Sequence, residues 1–214
     1  MKLISVNVGT LRDLVWKDRT VTTGIFKEPI AGRVKVKALN IEGDRQADLT
    51  VHGGTEKAVY LYPSEHYAFW RDELPEARLS WGAFGENLTT EGLLETQINV
   101  GDRLRIGNVE VVVTQPRMPC SKLAAKFDRD DLIKRFLDSR RSGFYLKVLK
   151  EGEIGTGDEI ELLSRDAGNI TITELVGLQA DKQKDFDLMR RAANVEALAA
   201  GWRKKFLQQL AERG

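Results

Sequence analysis

The chain has 214 residues and a net charge of +1, from 33 Lys and Arg against 32 Asp and Glu. A hydrophobic share of 42% beside 30% charged residues excludes a disordered, collagenous or fibrous chain. The near-neutral balance argues against bulk electrostatic binding of nucleic acid, and the longest uncharged stretch, Leu3 to Leu11, falls short of the about 20 apolar residues a membrane helix needs.

Leu3 to Val8 and Val34 to Leu39 alternate as half-buried strands, the second more cleanly. Between them and the apolar run Ala58 to Tyr62 lies Asp44-Arg45-Gln46-Ala47-Asp48-Leu49-Thr50-Val51-His52-Gly53-Gly54, with Lys57 just beyond. Glycines let backbone N–H groups approach an anion, and Arg or Lys completes such a cradle. The segment is not a P-loop, because the Gly-Lys-Ser/Thr ending is missing, and an ordinary polar turn is the plainer alternative.

Ser64 is placed to cap a helix that runs to about Leu74 and stops at Pro75. Gly82 to Thr90 forms a polar, glycine-rich loop in which Glu86 and Asn87 are positioned to hydrogen-bond a heterocycle. Arg103 to Ile106, Gly107-Asn108 and Val109 to Thr114 predict a hairpin. A helical stretch starts near Ser121, and Asp128 is expected to cap a second one with Leu132, Ile133, Phe136 and Leu137 on one face. Phe144 to Leu149 and Ile160 to Leu163 add strands. Gly101-Asp102 and Gly157-Asp158 each open a charged-apolar alternation, which we read as turns entering exposed strands. No βαβ rhythm appears, so the expectation is an antiparallel or barrel architecture.

After Arg165 the composition changes. Ile170 to Ala180 (starting at Thr173 or at Thr171), Phe186 to Leu198 and Trp202 to Leu210 predict three helices, with Gly201 interrupting the last two. Expected domains are therefore 1–164 and 165–214. The tail carries nine Lys/Arg against seven Asp/Glu. A segment of its size is marginal alone, so it is expected to dock on the main body and not to bind DNA.

Cys120 stands out on chemistry. It follows an apolar strand and a proline-stiffened loop, Gln115-Pro116-Arg117-Met118-Pro119, at a helix start with Lys122 close behind. Helix N-termini and neighbouring cations favour a thiolate, the form that binds soft metals or attacks electrophiles. An inert buried cysteine is the other reading. His52, His66 and Cys120 show no zinc-motif spacing, and neither a nucleophile elbow nor a dinucleotide fingerprint is present. The four Trp and eight Phe read as core.

Val51-His52-Gly53-Gly54 with Lys57-Ala58-Val59, Phe84-Gly85-Glu86-Asn87-Leu88, and Gln115-Pro116-Arg117-x-Pro-Cys120-x-Lys122-Leu123 together resemble the MOSC domain, named for the C-terminal domain of molybdenum cofactor sulfurase. Order and spacing are most similar to the YiiM-like branch, which ends in a three-helix module. The resemblance implies a mainly β fold, a MOSC-type β-barrel with inserted helices plus a small all-α domain. It implies the molybdenum cofactor as ligand, with Cys120 as catalytic residue and metal ligand. Implied cofactor contacts are His52, Gly53, Gly54, Lys57, Glu86, Asn87, Arg117 and Lys122. The implied activity is reduction of small N-hydroxylated compounds, such as hydroxylamino purines, with an external electron-donor reductase. The alternative is a sulfur carrier or cofactor-holding module using a Cys120 persulfide. The remaining expectations are a cytoplasmic monomer or homodimer with no signal peptide, no internal disulfide, and neither nucleic acid nor membrane as partner.

Overall fold

A computed structural model of the chain describes residues 1–47 and 53–212. The first half holds β1 (Lys2–Val8), β2 (Arg12–Trp16), β3 (Arg19–Thr23), β4 (Glu28–Pro29), β5 (Arg33–Val36), β6 (Val59–Pro63), α1 (His66–Glu73) and β7 (Leu88–Glu91). The second half holds β8 (Arg103–Ile106), β9 (Val109–Pro116), α2 (Ser121–Phe127), α3 (Leu132–Ser139), β10 (Phe144–Lys150), β11 (Gly152–Gly155) and β12 (Ile160–Ser164). Three helices follow: α4 (Ile172–Ala180), α5 (Phe186–Ala193) and α6 (Ala200–Ala211).

Eight strands form one sheet in the order β12-β8-β9-β10-β6-β7-β1-β4. Every neighbouring pair is antiparallel except β6 and β7. A parallel pair needs a long crossover, and the segment carrying α1 supplies it. The expected barrel is corrected here: the sheet curls but its ladder does not close, leaving β12 and β4 as edges. The start of β12 and the residue pair ahead of it do reach the start of the chain, through Leu3 N to Asp158 O at 2.9 Å and Ile160 N to Met1 O at 2.9 Å. The other end of β1 is taken by the two-residue β4, where Pro29 has no N–H to extend a ladder.

Two ribbons, β5 with β11 and β2 with β3, stand apart from the main sheet. The β2–β3 hairpin turns through Lys17 and Asp18, both at positive φ (50° and 59°). A two-residue turn with both φ positive matches strand twist, but it lacks the glycine that announces it in sequence. Local boundaries also differ from expectation. Glu65, not Ser64, occupies the N-cap of α1. Asp128 ends α2 in a left-handed conformation instead of starting α3. β5 stops at Val36, because the chain turns back through Lys37 N to Asn40 O at 2.8 Å. The second tail helix ends at Ala193, and Gly201 lies inside the first turn of α6.

Of the two expected starts for the first tail helix, Thr171 is the one used. Its side chain accepts from Glu174 N, and Glu174 reaches back to Thr171 N at 2.7 Å. The tail docks by its apolar face: Ile172, Leu175, Leu178, Met189 and Phe206 share one buried cluster with Leu3, Val6, Leu61, Leu104 and Val113 of the sheet. A second, aromatic cluster of Tyr60, Tyr62, Tyr67, Trp70, Phe84 and Phe136 fills the space under α1 and α3. Among the described residues no helix is long and apolar enough to cross a membrane.

The shared core predicts one cooperative unfolding unit. Leu175→Ala should cost about 3 kcal/mol and lower the midpoint of a single thermal transition by roughly 8 °C. A separate low-temperature transition of the tail, with the sheet's midpoint unmoved, would contradict the shared core.

Candidate functional site

Strand β9 delivers the chain to Pro116, and Arg117 N then donates to Gly143 O at 3.2 Å, fixing the loop against the start of β10. Pro119 leads to Cys120, which sits in extended backbone (φ −126°, ψ 168°) at the N-cap of α2. Its thiol is half-buried and makes no capping hydrogen bond.

Cys120 lines an open pocket. Thr23 at the end of β3, with Gly24 and Ile25 after it, forms one wall, Arg45, Gln46 and Ala47 another. Tyr60, Gly85, Asn87, Arg117, Lys122, Lys27 and Tyr145 complete the described lining. Glycine is required where these walls meet. A Cβ on Gly24 would collide with the Arg45 carbonyl, and one on Gly85, at φ +83°, would lie 2.8 Å from Ile25 Cγ1.

Four cations, Lys27, Arg45, Arg117 and Lys122, line the cavity, and no carboxylate does so among the described residues. Lys27 is spoken for: its Nζ meets Asp44 Oδ1 at 2.5 Å, and the same oxygen accepts from Gly9 N at 2.9 Å. Burial lowers the Lys27 pKa, and the Asp44 charge opposes that. Arg117 is different. It is 5% exposed, its guanidinium lies over the rings of Tyr60 (5.5 Å) and Phe136 (5.3 Å), and its Nη1 is buried with no hydrogen-bond partner among the described residues. The guanidinium also lies near the Tyr145 phenol, whose pKa burial raises while the Arg117 charge opposes the rise. A buried cation with an unmade bond is costly unless an anion completes it. The cavity is therefore shaped for a negatively charged ligand.

Several expected site residues converge: Cys120, Arg117, Lys122 and Asn87 all line the cavity. Asn87 is held by Tyr60 N donating to its Oδ1 at 3.1 Å. Others lie elsewhere. Glu86 is fully buried, and its carboxylate accepts from Tyr67 Oη (2.5 Å), Gly82 N (2.9 Å), Phe84 N (3.1 Å) and Thr89 Oγ1 (2.9 Å). Burial raises its pKa while these bonds favour the anion, so it shapes the glycine loop and leaves nothing for a ligand. Gly53, Gly54 and Lys57 are not among the cavity's described lining. Gly54, at φ +92°, opens a 3₁₀ turn over Thr55–Lys57, which Thr114 Oγ1 anchors by donating to Glu56 O at 2.7 Å. The expected meeting of the 44–57 segment with Cys120 thus occurs through Arg45 to Ala47, not through the glycines. His52 lies outside the described residues.

Lys27, Arg45, Gln46, Tyr60 and Tyr145 were missed as site residues. Arg45 and Gln46 stood in the segment singled out, ahead of its glycines. Tyr145 is brought in by sheet register, opposite Gln115. Among the described residues no group of three His, Cys, Asp or Glu could hold a metal. His66 is committed to Glu95, Nε2 to Oε2 at 2.7 Å. A metal in this cavity must bring most of its own ligands.

For the cofactor-free protein, Arg117→Met should leave stability unchanged or raise it by up to about 2 kcal/mol, since a buried unpaired charge is replaced by an apolar chain. The same change should weaken binding of inorganic phosphate roughly tenfold or more, read by calorimetry. A large fall in melting temperature with unchanged phosphate binding would make Arg117 a structural cation instead.

A MOSC domain model matches residues 48–161, and a YiiM-like 3-alpha helix domain model matches residues 170–213. Bacillus subtilis (strain 168) YflK, an uncharacterized protein, is 39% identical over 207 residues, covering 97% of this chain and 93% of YflK. The crystal structure of YiiM from Geobacillus stearothermophilus superposes with a TM-score of 0.83 at 35% identity, over 98% of each chain. A Gibberella moniliformis protein named Reductase is 38% identical over 148 residues, which are 68% of this chain and 26% of that protein. The sheet, the Cys120 loop and the three docked helices thus place the chain in the MOSC domain family, with the YiiM-like C-terminal helical module.

Proposed function

We propose that the cavity binds the molybdenum cofactor and that the protein reduces N-hydroxylated compounds, with hydroxylamino purines and related base analogues as substrates. MOSC domains are associated with that cofactor. One observation carries the reading: the lone cysteine lines a pocket with four cations, no carboxylate among the described lining, and a buried guanidinium nitrogen unpartnered among the described residues. The cofactor is a pterin dithiolene ending in a phosphate, so it presents both a soft metal and an anion. When bound, it supplies two-electron redox chemistry at the metal.

The residues divide the work between those two ends. Arg117, with Arg45 and Lys122, holds the phosphate, and Nη1, unpartnered among the described residues, gives a charge-assisted bond. Cys120 offers one soft sulfur ligand from rigid extended backbone, which suits a metal whose other ligands arrive with it. Asn87 and Tyr60, already fixed to each other, hold a heterocyclic substrate against the wall of residues 23–25. Electrons come from an external donor. The region similar to this chain fills about a quarter of the longer Gibberella protein named Reductase, which fits a separation between the cofactor site and the source of electrons.

Cys120→Ser tests the reading. Serine is a good helix N-cap, so melting temperature should hold or rise slightly. Turnover of a hydroxylamino purine per chain, measured anaerobically with a chemical reductant, should fall by more than about 100-fold, beyond the loss of an outer-sphere partner. Wild-type protein from cofactor-competent cells should carry stoichiometric molybdenum. Wild-type turnover in the serine variant would remove Cys120 from the mechanism. Labile sulfur on Cys120 without molybdenum would identify a sulfur carrier.

A further inference from the structure

Cleaving an N–O bond needs a proton for the departing oxygen, and the cavity offers few acids. No histidine or carboxylate lies among its described lining residues. Lys27 is locked to Asp44, and the Thr23 hydroxyl, an aliphatic alcohol, is too weak an acid. Arginine does not give up a proton in proteins, and the Asn87 amide is no acid.

The tyrosines differ from one another in one respect. Three of the four spend their hydroxyl hydrogen on the protein: Tyr60 on Ser142 O (2.9 Å), Tyr62 on Arg141 O (3.1 Å) and Tyr67 on Glu86 Oε1 (2.5 Å). The Tyr145 phenol lies near Arg117, whose charge favours its ionised form. A guanidinium only donates, so it cannot take the Tyr145 hydrogen, and, unlike in the other three, no backbone oxygen or carboxylate among the described residues takes it. Its ring is fixed against Tyr60, with centroids 5.4 Å apart, and it lines the same cavity as Cys120.

We propose that Tyr145 is a catalytic residue: its phenol donates a hydrogen bond to the substrate's N-hydroxyl oxygen and passes its proton to that oxygen as the N–O bond breaks. This rests on the reductase reading. The overall change is R–NH–OH plus two electrons and two protons giving R–NH₂ and water. Both electrons come from the external reductant, one proton goes from Tyr145 to the departing oxygen, and the other comes from solvent. The nearby Arg117 charge, which favours the phenolate, stabilises it until solvent reprotonates it.

Tyr145→Phe keeps the ring and removes only the hydroxyl, so its melting temperature and molybdenum content should match the wild type. Its kcat for a hydroxylamino purine should fall about 100-fold, with a changed solvent isotope effect and little change in KM. A second readout needs no turnover. Loaded protein without reductant should bind the hydroxylamino purine about fivefold more tightly than the corresponding aminopurine, and Tyr145→Phe should erase that preference. Wild-type kcat and an intact preference in the variant would overturn the proposal. A wild-type protein that turns over no N-hydroxylated compound would overturn the reductase reading instead. The binding preference would then decide whether Tyr145 meets the oxygen.

Discussion

The buried guanidinium of Arg117 is the constraint around which the site is built. Removing a cation from water is expensive, and the protein recovers part of that cost through two aromatic faces. It leaves Nη1 without a partner among the described residues. Such a group persists in a folded protein when something outside the chain completes it. The surroundings hold the guanidinium in place for that purpose. Gly143 O accepts from Arg117 N, and Gly143 N in turn donates to Glu95 Oε1 at 2.7 Å. Gly143 sits at φ +62°, where a Cβ would collide with the Leu61 carbonyl, so the junction admits only glycine.

The rest of the fold makes that arrangement rigid. Tyr60 belongs both to the aromatic cluster and to the cavity wall, so packing under α1 and α3 is transmitted directly to the ligand side. On the other side of the sheet, α4 to α6 bury their apolar faces in the cluster that holds β1, β6, β8 and β9. The three helices therefore brace the strand that ends in the Cys120 loop. The wall of residues 23–27 depends on a different device, the Lys27–Asp44 pair, whose carboxylate also binds Gly9 N. Lys126 adds to it by donating to Ile25 O at 3.2 Å; burial pulls the Lys126 pKa down to about 8.

Local features were legible in the sequence and non-local ones were not. Alternation around Gly107-Asn108 revealed β8 and β9, because strand period and turn chemistry are both encoded within a few residues. The β2–β3 hairpin escaped because Lys17 and Asp18 adopt positive φ without the usual glycine. Arg117, Cys120 and Lys122 were found together because a single strand–loop–helix junction carries all three. Tyr145 and Lys27 reach the cavity through pairing partners distant in sequence, and single-chain periodicity carries no trace of that. Glu86 shows the opposite problem: a polar residue in a glycine loop has the same signature whether it binds a ligand or satisfies the loop's own N–H groups. Whether a curled sheet closes as a ladder also depends on edge pairing, here cut short at Pro29.

The account stands on what completes Arg117, and a crystal structure of the molybdenum-cofactor-loaded protein measures that directly. It should place a phosphate oxygen of the cofactor in hydrogen-bonding range of Arg117 Nη1, with the Cys120 sulfur directed at the metal. A loaded structure in which Nη1 is still unpartnered and the phosphate lies away from Arg117 would contradict it.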